Sequence, residues 1–391
     1  MRRRMAWGRR RGVAMFLGMA GCILCGVPTS TQAQQDSSTD LAWYGYVKLD
    51  ASWDEALVNT GNFARWVVSP EIEDPHASLN LTARQTRLGF RVQSTAGSAQ
   101  LSGLWEADFY AGAAENTNGL QVRQAYVNIV WPSGWEILAG QTADVISPLV
   151  PTTLNYTVSW WAGNIGYRRP QLRVSRVQEI GGVELSLRAA AARTIGDDFG
   201  GADPGDTGTA SGVPTVEGVA GLRFSAGESS ISVGAYAHRG RENLGDEFTG
   251  SSIDIASSSW GGYLDADFGA VRVSGEMWTG SNLDDYFGGV GQGLTIEPES
   301  AIGVSATGGW AQIGLVQGAT RVHGGFGIDD PDDDDLARGA RRSNSALWGN
   351  VIRDFGGGLS VGLEYSYWQT EYLGLAKATA SRVQTSVLYA F

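Results

Sequence analysis

Apolar and polar side chains alternate along nearly this whole chain, segment after segment. In "AWYGYVKLDASW", Trp43, Val47, Leu49 and Ala51 share one face, while Tyr44, Tyr46, Lys48 and Asp50 share the other. "QTRLGFRV" sets Leu88, Phe90 and Val92 against Arg87 and Arg91. In "AQLSGLWEADFY" the apolar set is Leu101, Trp105, Ala107 and Phe109, and in "RQAYVNIVW" Val127, Ile129 and Trp131 oppose Gln124, Tyr126 and Asn128. A period of two is the signature of a β-strand with two different surroundings. The alternation continues through residues 135–142, 171–176, 183–193, 218–225, 231–238, 260–268, 271–278, 305–315, 320–327, 346–353 and 359–368, and ends in "SRVQTSVLYAF". The total is about 16 strands, an even number as bacterial outer-membrane barrels require.

The last of these segments sharpens the expectation. Val383, Val387, Tyr389 and Phe391 lie on one parity and Gln384 and Ser386 on the other. A terminal strand of this kind in an open sheet would be an unprotected edge, so the sheet is expected to close by pairing it with the strand at 43–53. Tyr389 and Phe391 then belong to the periplasmic aromatic girdle. Short connections (94–98, 132–134, 268–270) alternate with long ones (54–80, 193–217, 281–300), the asymmetry of a barrel trimmed at one end and looped at the other. A soluble sandwich or propeller also alternates its faces but does not explain this asymmetry. After the amino terminus no apolar run reaches about 18 residues, so membrane helices are not expected. The 55 glycines and 14 tryptophans suit turns and interfacial anchors.

Residues 1–33 read as an export signal: basic "MRRRMAWGRRRG", apolar "VAMFLGMAGCILCGV", then a small-residue site ending at Ala33. A lipoprotein reading through Cys22 fits less well, with Met19 in place of the expected residue. Residues 34–41 are expected to be a short periplasmic segment and 42–391 the barrel. Removing the leader's six arginines from the 29 basic residues leaves 23 against 41 acids, a net charge of −18. Both cysteines leave with it. An acidic chain of this kind argues against nucleic acid as a partner, and no cofactor is implied.

Taken in order, "YGYVKLDASW", "ARQTRLGF", "VRQAYVNIVW", "ILAGQTAD", "GNIGYRRPQLR", "GGWAQIG", "GIDDPDDDD", "VGLEYSYWQTEY" and "RVQTSVLYAF" resemble the DcaP-like porins of Gram-negative outer membranes. The resemblance implies a trimer of 16-stranded channels passing small anions, with dicarboxylates as the usual substrate class. The leader points to Sec-type export, and the final strand resembles the signal read by the barrel-assembly machinery. Some relatives carry a heptad-bearing extension before the barrel; residues 34–41 are too few for one, so a homotrimer would be held by barrel walls set in lipid and lipopolysaccharide.

Anion selection calls for inward cations, and arginine is the expected choice because its guanidinium stays charged and grips a carboxylate through two parallel bonds. By parity the polar face holds Lys48, Arg87, Arg91, Arg173, Arg188 and Arg223, with Tyr46 and Tyr126 beside them. Arg84 and Arg123 fall on the opposite parity, near looped ends where a bulge can turn them inward. Segment 145–169, with "NYTVSWWAGNIGYRR" ending in Arg168 and Arg169, is expected to fold into the lumen as a constriction. The competing reading pairs these arginines with Asp50, Glu106, Asp108, Asp265, Asp267 and Glu276 in a structural network. Asp329, Asp330, Asp332 and Asp333 of "DDPDDDD" are a weak candidate for a metal such as Ca²⁺, though without the EF-hand spacing. His76, His238 and His323 are scattered, so no catalytic site is expected. The remaining alternatives are a general or phosphate-type porin and a structural or adhesive barrel with a plugged lumen.

Overall fold

The computed structural model describes residues 39–58, 62–111, 118–196, 207–245, 252–297 and 300–391. The expected leader lies outside them. The strands are β1 (Asp40–Asp54), β2 (Ser78–Thr82), β3 (Arg87–Ala96), β4 (Ala99–Ala111), β5 (Gly119–Val130), β6 (Trp135–Ala143) and β7 (Arg168–Ile180). They continue with β8 (Val183–Ala192), β9 (Thr215–Ala226), β10 (Ser229–Leu244), β11 (Ile253–Asp267) and β12 (Val271–Ser281). A small separate hairpin, β13 (Leu294–Glu297) and β14 (Ser300–Gly303), precedes β15 (Ser305–Gln317), β16 (Thr320–Pro331), β17 (Arg341–Gly356), β18 (Leu359–Tyr372) and β19 (Leu375–Ala390).

All barrel neighbours are antiparallel, and the sheet closes on itself. β1 pairs β19 from Tyr46↔Ala390 to Asp54↔Arg382. Phe391 joins the same seam: its N–H donates to Gly45 O at 3.0 Å and its carbonyl accepts from Gly45 N at 3.2 Å. β2 and β3 lie end to end along β1, on its Asp50–Asp54 and Asp40–Tyr46 stretches, so together they form one stave of a 16-strand barrel. Closure leaves no edge and satisfies the backbone all round, which a bilayer demands.

The two faces separate as the alternation requires. Trp43, Trp260 and Met277, each about two-thirds exposed, point outward with Val47, Leu49, Leu363, Val387 and Tyr389. Their sequence neighbours Lys48, Asp50, Glu276, Glu364, Gln384 and Ser386 are buried inside. An apolar outside around a polar inside is stable against acyl chains and not against water. Burying Arg382 against Asp54, both Asp54 oxygens at 2.8 Å from Nη1, ties the seam from within.

Three segments from the looped end fill part of the lumen, where one was expected. Residues 144–167 form the anticipated inward loop. Residues 62–77 join it: Tyr156 N donates to Asn62 O, Val67 N to Thr370 Oγ1, and Tyr372 Oη to Val67 O. Residues 282–293 are the third, with Trp161 N donating to Phe287 O and Gly166 N to Tyr286 O.

The long inward loop is pinned by wall carboxylates and amides. Val145 N donates to Glu217, Leu149 N to Glu276, Thr152 N to Gln312 and Leu154 N to Glu364, at 2.6–2.8 Å. The bonds of Val145 and Leu154 are fully buried, and those of Leu149 and Thr152 partly so; buried groups do not forgo such partners cheaply. Loop and wall also touch backbone to backbone where neither has a side chain: a Cβ on Gly327 would strike Ala162 O, and one on Gly163 (φ +108°) would strike Gly309 O. Gly327→Ala is therefore expected to cost about 1–3 kcal/mol. The measurement is the temperature at which the folded form loses its compact migration in detergent gels; an unaltered temperature would mean that the loop yields freely there.

Candidate functional site

Between the inward loop and the wall of β3, β5 and β7 lies a cavity of about 320 Å³. Arg87, Arg123 and Arg168 line it with Gln85 and Gln124, and the loop supplies Tyr156, Val158, Trp160 and Tyr167. Arg123 arrives there by a bulge: Gln124 faces Glu106 and Val122 faces Ala107, so Arg123 is the extra residue and its parity inverts. Its Nη1 donates to Asp108 Oδ2 at 2.5 Å and to Tyr156 Oη at 2.7 Å, and its Nε lies 3.4 Å from Glu106 Oε1. Burial pushes the Tyr156 phenol up, so it remains a neutral hydrogen-bond group. Arg87 lies 3.4 Å from the same Glu106 oxygen and stands over the Tyr46 ring, 5.4 Å from its centroid. Tyr44 Oη donates to the other Glu106 oxygen at 3.1 Å. Arg168 stacks on Tyr167 at 4.8 Å, and no carboxylate among the described residues comes within 4.0 Å of it. Three guanidiniums thus meet Glu106 and Asp108, while Asp144, the acid lining the cavity, is taken up by Arg169; with that pair included, four cations stand against three carboxylates. The paired-network reading holds for Arg87 and Arg123 and not for Arg168.

Two sequence candidates already have partners within the protein. Arg169 is fully buried: Nε and Nη2 grip Asp144 at 2.9 and 3.2 Å, Nη2 also donates to Asp285 O, and the guanidinium stacks on Tyr286 at 3.9 Å. It sits at the neck of the inward loop with no exposed surface. Both side chains are buried at the start of β7, and their partners separate them: Asp144 holds Arg169, while Tyr167 stacks on Arg168. Lys48 is likewise consumed, with Nζ bonded to Gln85 Oε1 (2.6 Å), Leu154 O (3.1 Å) and Asp50 (3.2 Å). Arg84 is turned inward by the break between β2 and β3 and donates to Phe109 O and Tyr110 O, holding the end of β4.

The other expected cations stand elsewhere in the lumen. Arg173 is half-buried and donates to Gln171 Oε1 and Ala143 O. Arg188 and Arg223 line a second cavity of about 220 Å³ toward the short-turn end, with Glu184 and Asp265 across from them. Arg91 is exposed and Tyr126 half-buried, both outside the constriction. Tyr156, Tyr167, Gln85 and Gln124 complete the site unanticipated. Tyr156 and Tyr167 lie in the segment expected to constrict, but a loop has no parity from which to choose its inward residues.

The aspartate run does not converge on a metal. Asp329 turns into the barrel and accepts from Val290 N at 3.0 Å, Asp332 accepts from Asp334 N, and Asp333 pairs with Arg342 at 2.6 Å. No three His, Cys or acidic side chains among the described residues are placed to hold a metal. His238 lies between Ser257 and Ser259, His323 meets Asn350, and His76 sits in an exposed loop.

No family model matches the chain, and no curated protein matches it in sequence. Among solved structures, the outer-membrane channel DcaP of Acinetobacter baumannii superposes with a TM-score of 0.72 at 19% identity, over 90% of this chain and 98% of that one. The fold is that of a DcaP-like porin. The anion-selective porin from Comamonas acidovorans aligns at TM-score 0.58 and 12% identity, covering 90% of this chain and 100% of that one. OmpF of Salmonella typhi, solved in complex with daunomycin, aligns at 0.60 and 10%, covering 90% and 97%. The DcaP-like porin fold therefore persists with few shared residues, as expected where alternation and closure carry the architecture.

Proposed function

We propose that this chain is an outer-membrane porin, a passive diffusion channel preferring small anions such as dicarboxylates. The observation that carries this reading is the constriction itself, where Arg87, Arg123 and Arg168 face Glu106 and Asp108 beside the inward loop and Asp144 is already paired with Arg169. A second group of lumen arginines, Arg173, Arg188 and Arg223, lies toward the short-turn end, with Glu184 and Asp265 beside the last two. A unit charge about 8 Å from a carboxylate in water contributes roughly 0.5 kcal/mol, so several arginines select without trapping. The same reading places the protein, after Sec-type export, in the Gram-negative outer membrane among lipid and lipopolysaccharide. There it forms a homotrimer, with β19 as the strand read by the assembly machinery. The Comamonas neighbour, an anion-selective porin, supports the charge preference by analogy of fold.

The test is the reversal potential of the purified protein in a planar bilayer under a KCl gradient. An anion-selective sign is expected, and a cation-selective sign overturns the proposal. Titrating succinate and inorganic phosphate against the ion current then separates a dicarboxylate channel, blocked at lower succinate concentration, from a phosphate-type one.

A further inference from the structure

Two cations of the looped end take no part in the constriction. Arg65 lies on the 62–77 segment, inside the ring of strands: its carbonyl accepts from Asn344 Nδ2 at 2.7 Å, and Asn344 is fully buried on the inner face of β17. Its guanidinium carbon stands 4.4 Å from the Trp66 ring centroid and 5.6 Å from that of Trp161. Arg341 stacks on the same Trp66 ring at 4.0 Å, donating to the backbone oxygens Val290 O and Gly291 O. Among the described residues neither guanidinium has a carboxylate within 4.0 Å, and Arg65 Nε is buried without a hydrogen-bond partner. Asp329, the acid on this side, is turned to the Val290 amide. Burial draws the Arg65 guanidinium below its usual range, as expected for a cation with no compensating anion.

Two like charges sharing one indole, with an unused donor, form an incomplete arrangement that an oxyanion would complete. We propose that Arg65, Arg341 and Trp66 form an outer anion station that receives the carboxylate or phosphate group of a small solute before it reaches the constriction. The station rests on the channel reading above. Its position inside the barrel wall makes the ligand a diffusing solute and not a lipid headgroup. A run of rings joins it to the constriction: Trp66 to Trp161 (6.1 Å), Trp161 to Phe63 (5.7 Å), Phe63 to Tyr156 (5.5 Å), and Tyr156 Oη to Arg123. An apolar wall of this kind lowers the local dielectric and extends the reach of both groups of charges.

The experiment uses the full protein in planar bilayers, with succinate or inorganic phosphate added to one side at a time. Arg65→Ala is expected to lower the rate of block from the looped side about threefold and to leave the short-turn-side rate and the residence time unchanged. Arg65→Lys is expected to restore most of that rate, and the difference is expected to vanish near 1 M salt. If Arg65→Ala does not fold, Arg341→Gln carries the same side-specific expectation. An equal loss from both sides, or no loss, overturns the station. A cation-selective wild-type channel overturns the channel reading itself, whereas anion-selective wild type with no sidedness in the variant overturns the station alone.

Discussion

Arg169→Met is expected to destabilise the barrel by about 3–5 kcal/mol. The substitution leaves a side chain of similar reach but removes the only cation among the described residues that touches Asp144, which is almost entirely desolvated, and the one lying 4.0 Å from buried Glu217. Both carboxylates hold the neck of the inward loop, Asp144 accepting from Tyr167 N at 2.8 Å and Glu217 from Val145 N at 2.6 Å. With the guanidinium gone, two acids face one another in a site that favours neither charge, and the loop ends lose their fixed spacing. Urea titration of the refolded protein measures the loss, and larger current fluctuations are expected as the loop loosens. Adding Asp144→Asn should recover part of the loss, because a neutral pair is less costly than a stranded charge. A variant with unaltered stability but weaker solute block would return Arg169 to the pore lining.

The second large effect concerns selectivity. Arg168→Glu reverses one charge at the cavity without removing the partner of any ion pair among the described residues, since Arg168 is held by stacking on Tyr167. A two-unit change at about 8 Å amounts to ~1 kcal/mol in water, or roughly fivefold in the anion-to-cation permeability ratio. Low-dielectric walls increase that figure and added salt decreases it. Arg168→Gln should give about half the change in free energy, roughly twofold in the ratio. Reversal potentials of the two variants check the series. If both match wild type, the selecting charge resides with Arg87 and Arg123.

The strands were legible because alternation survives wherever lipid lies on one side and water on the other. They run longer than the alternation indicates. β17 begins at Arg341 where the pattern emerges only near Ala346, and β11 begins at Ile253 where it emerges near Trp260. Toward the looped end both faces are polar, as in Ser257, Ser258 and Ser259, so the pattern fades while the hydrogen-bond ladder goes on. Arg123 shows the opposite limit: its parity pointed outward, and only the bulge in β5 reversed it.

The sequence alone determined the alternating wall, its closure through the final strand, the split between short and long connections, and the segment that narrows the passage. These follow from periodicity and chain length, which act locally. The tertiary structure decided which charges are used up and which remain available. Lys48 and Arg169 carry the same formal charge as Arg168, yet Leu154 O and Gln85 claim the first, Asp144 claims the second, and no acid among the described residues claims the third. That outcome depends on where residues far apart in the chain meet, and a charge's availability is set by its partners in space.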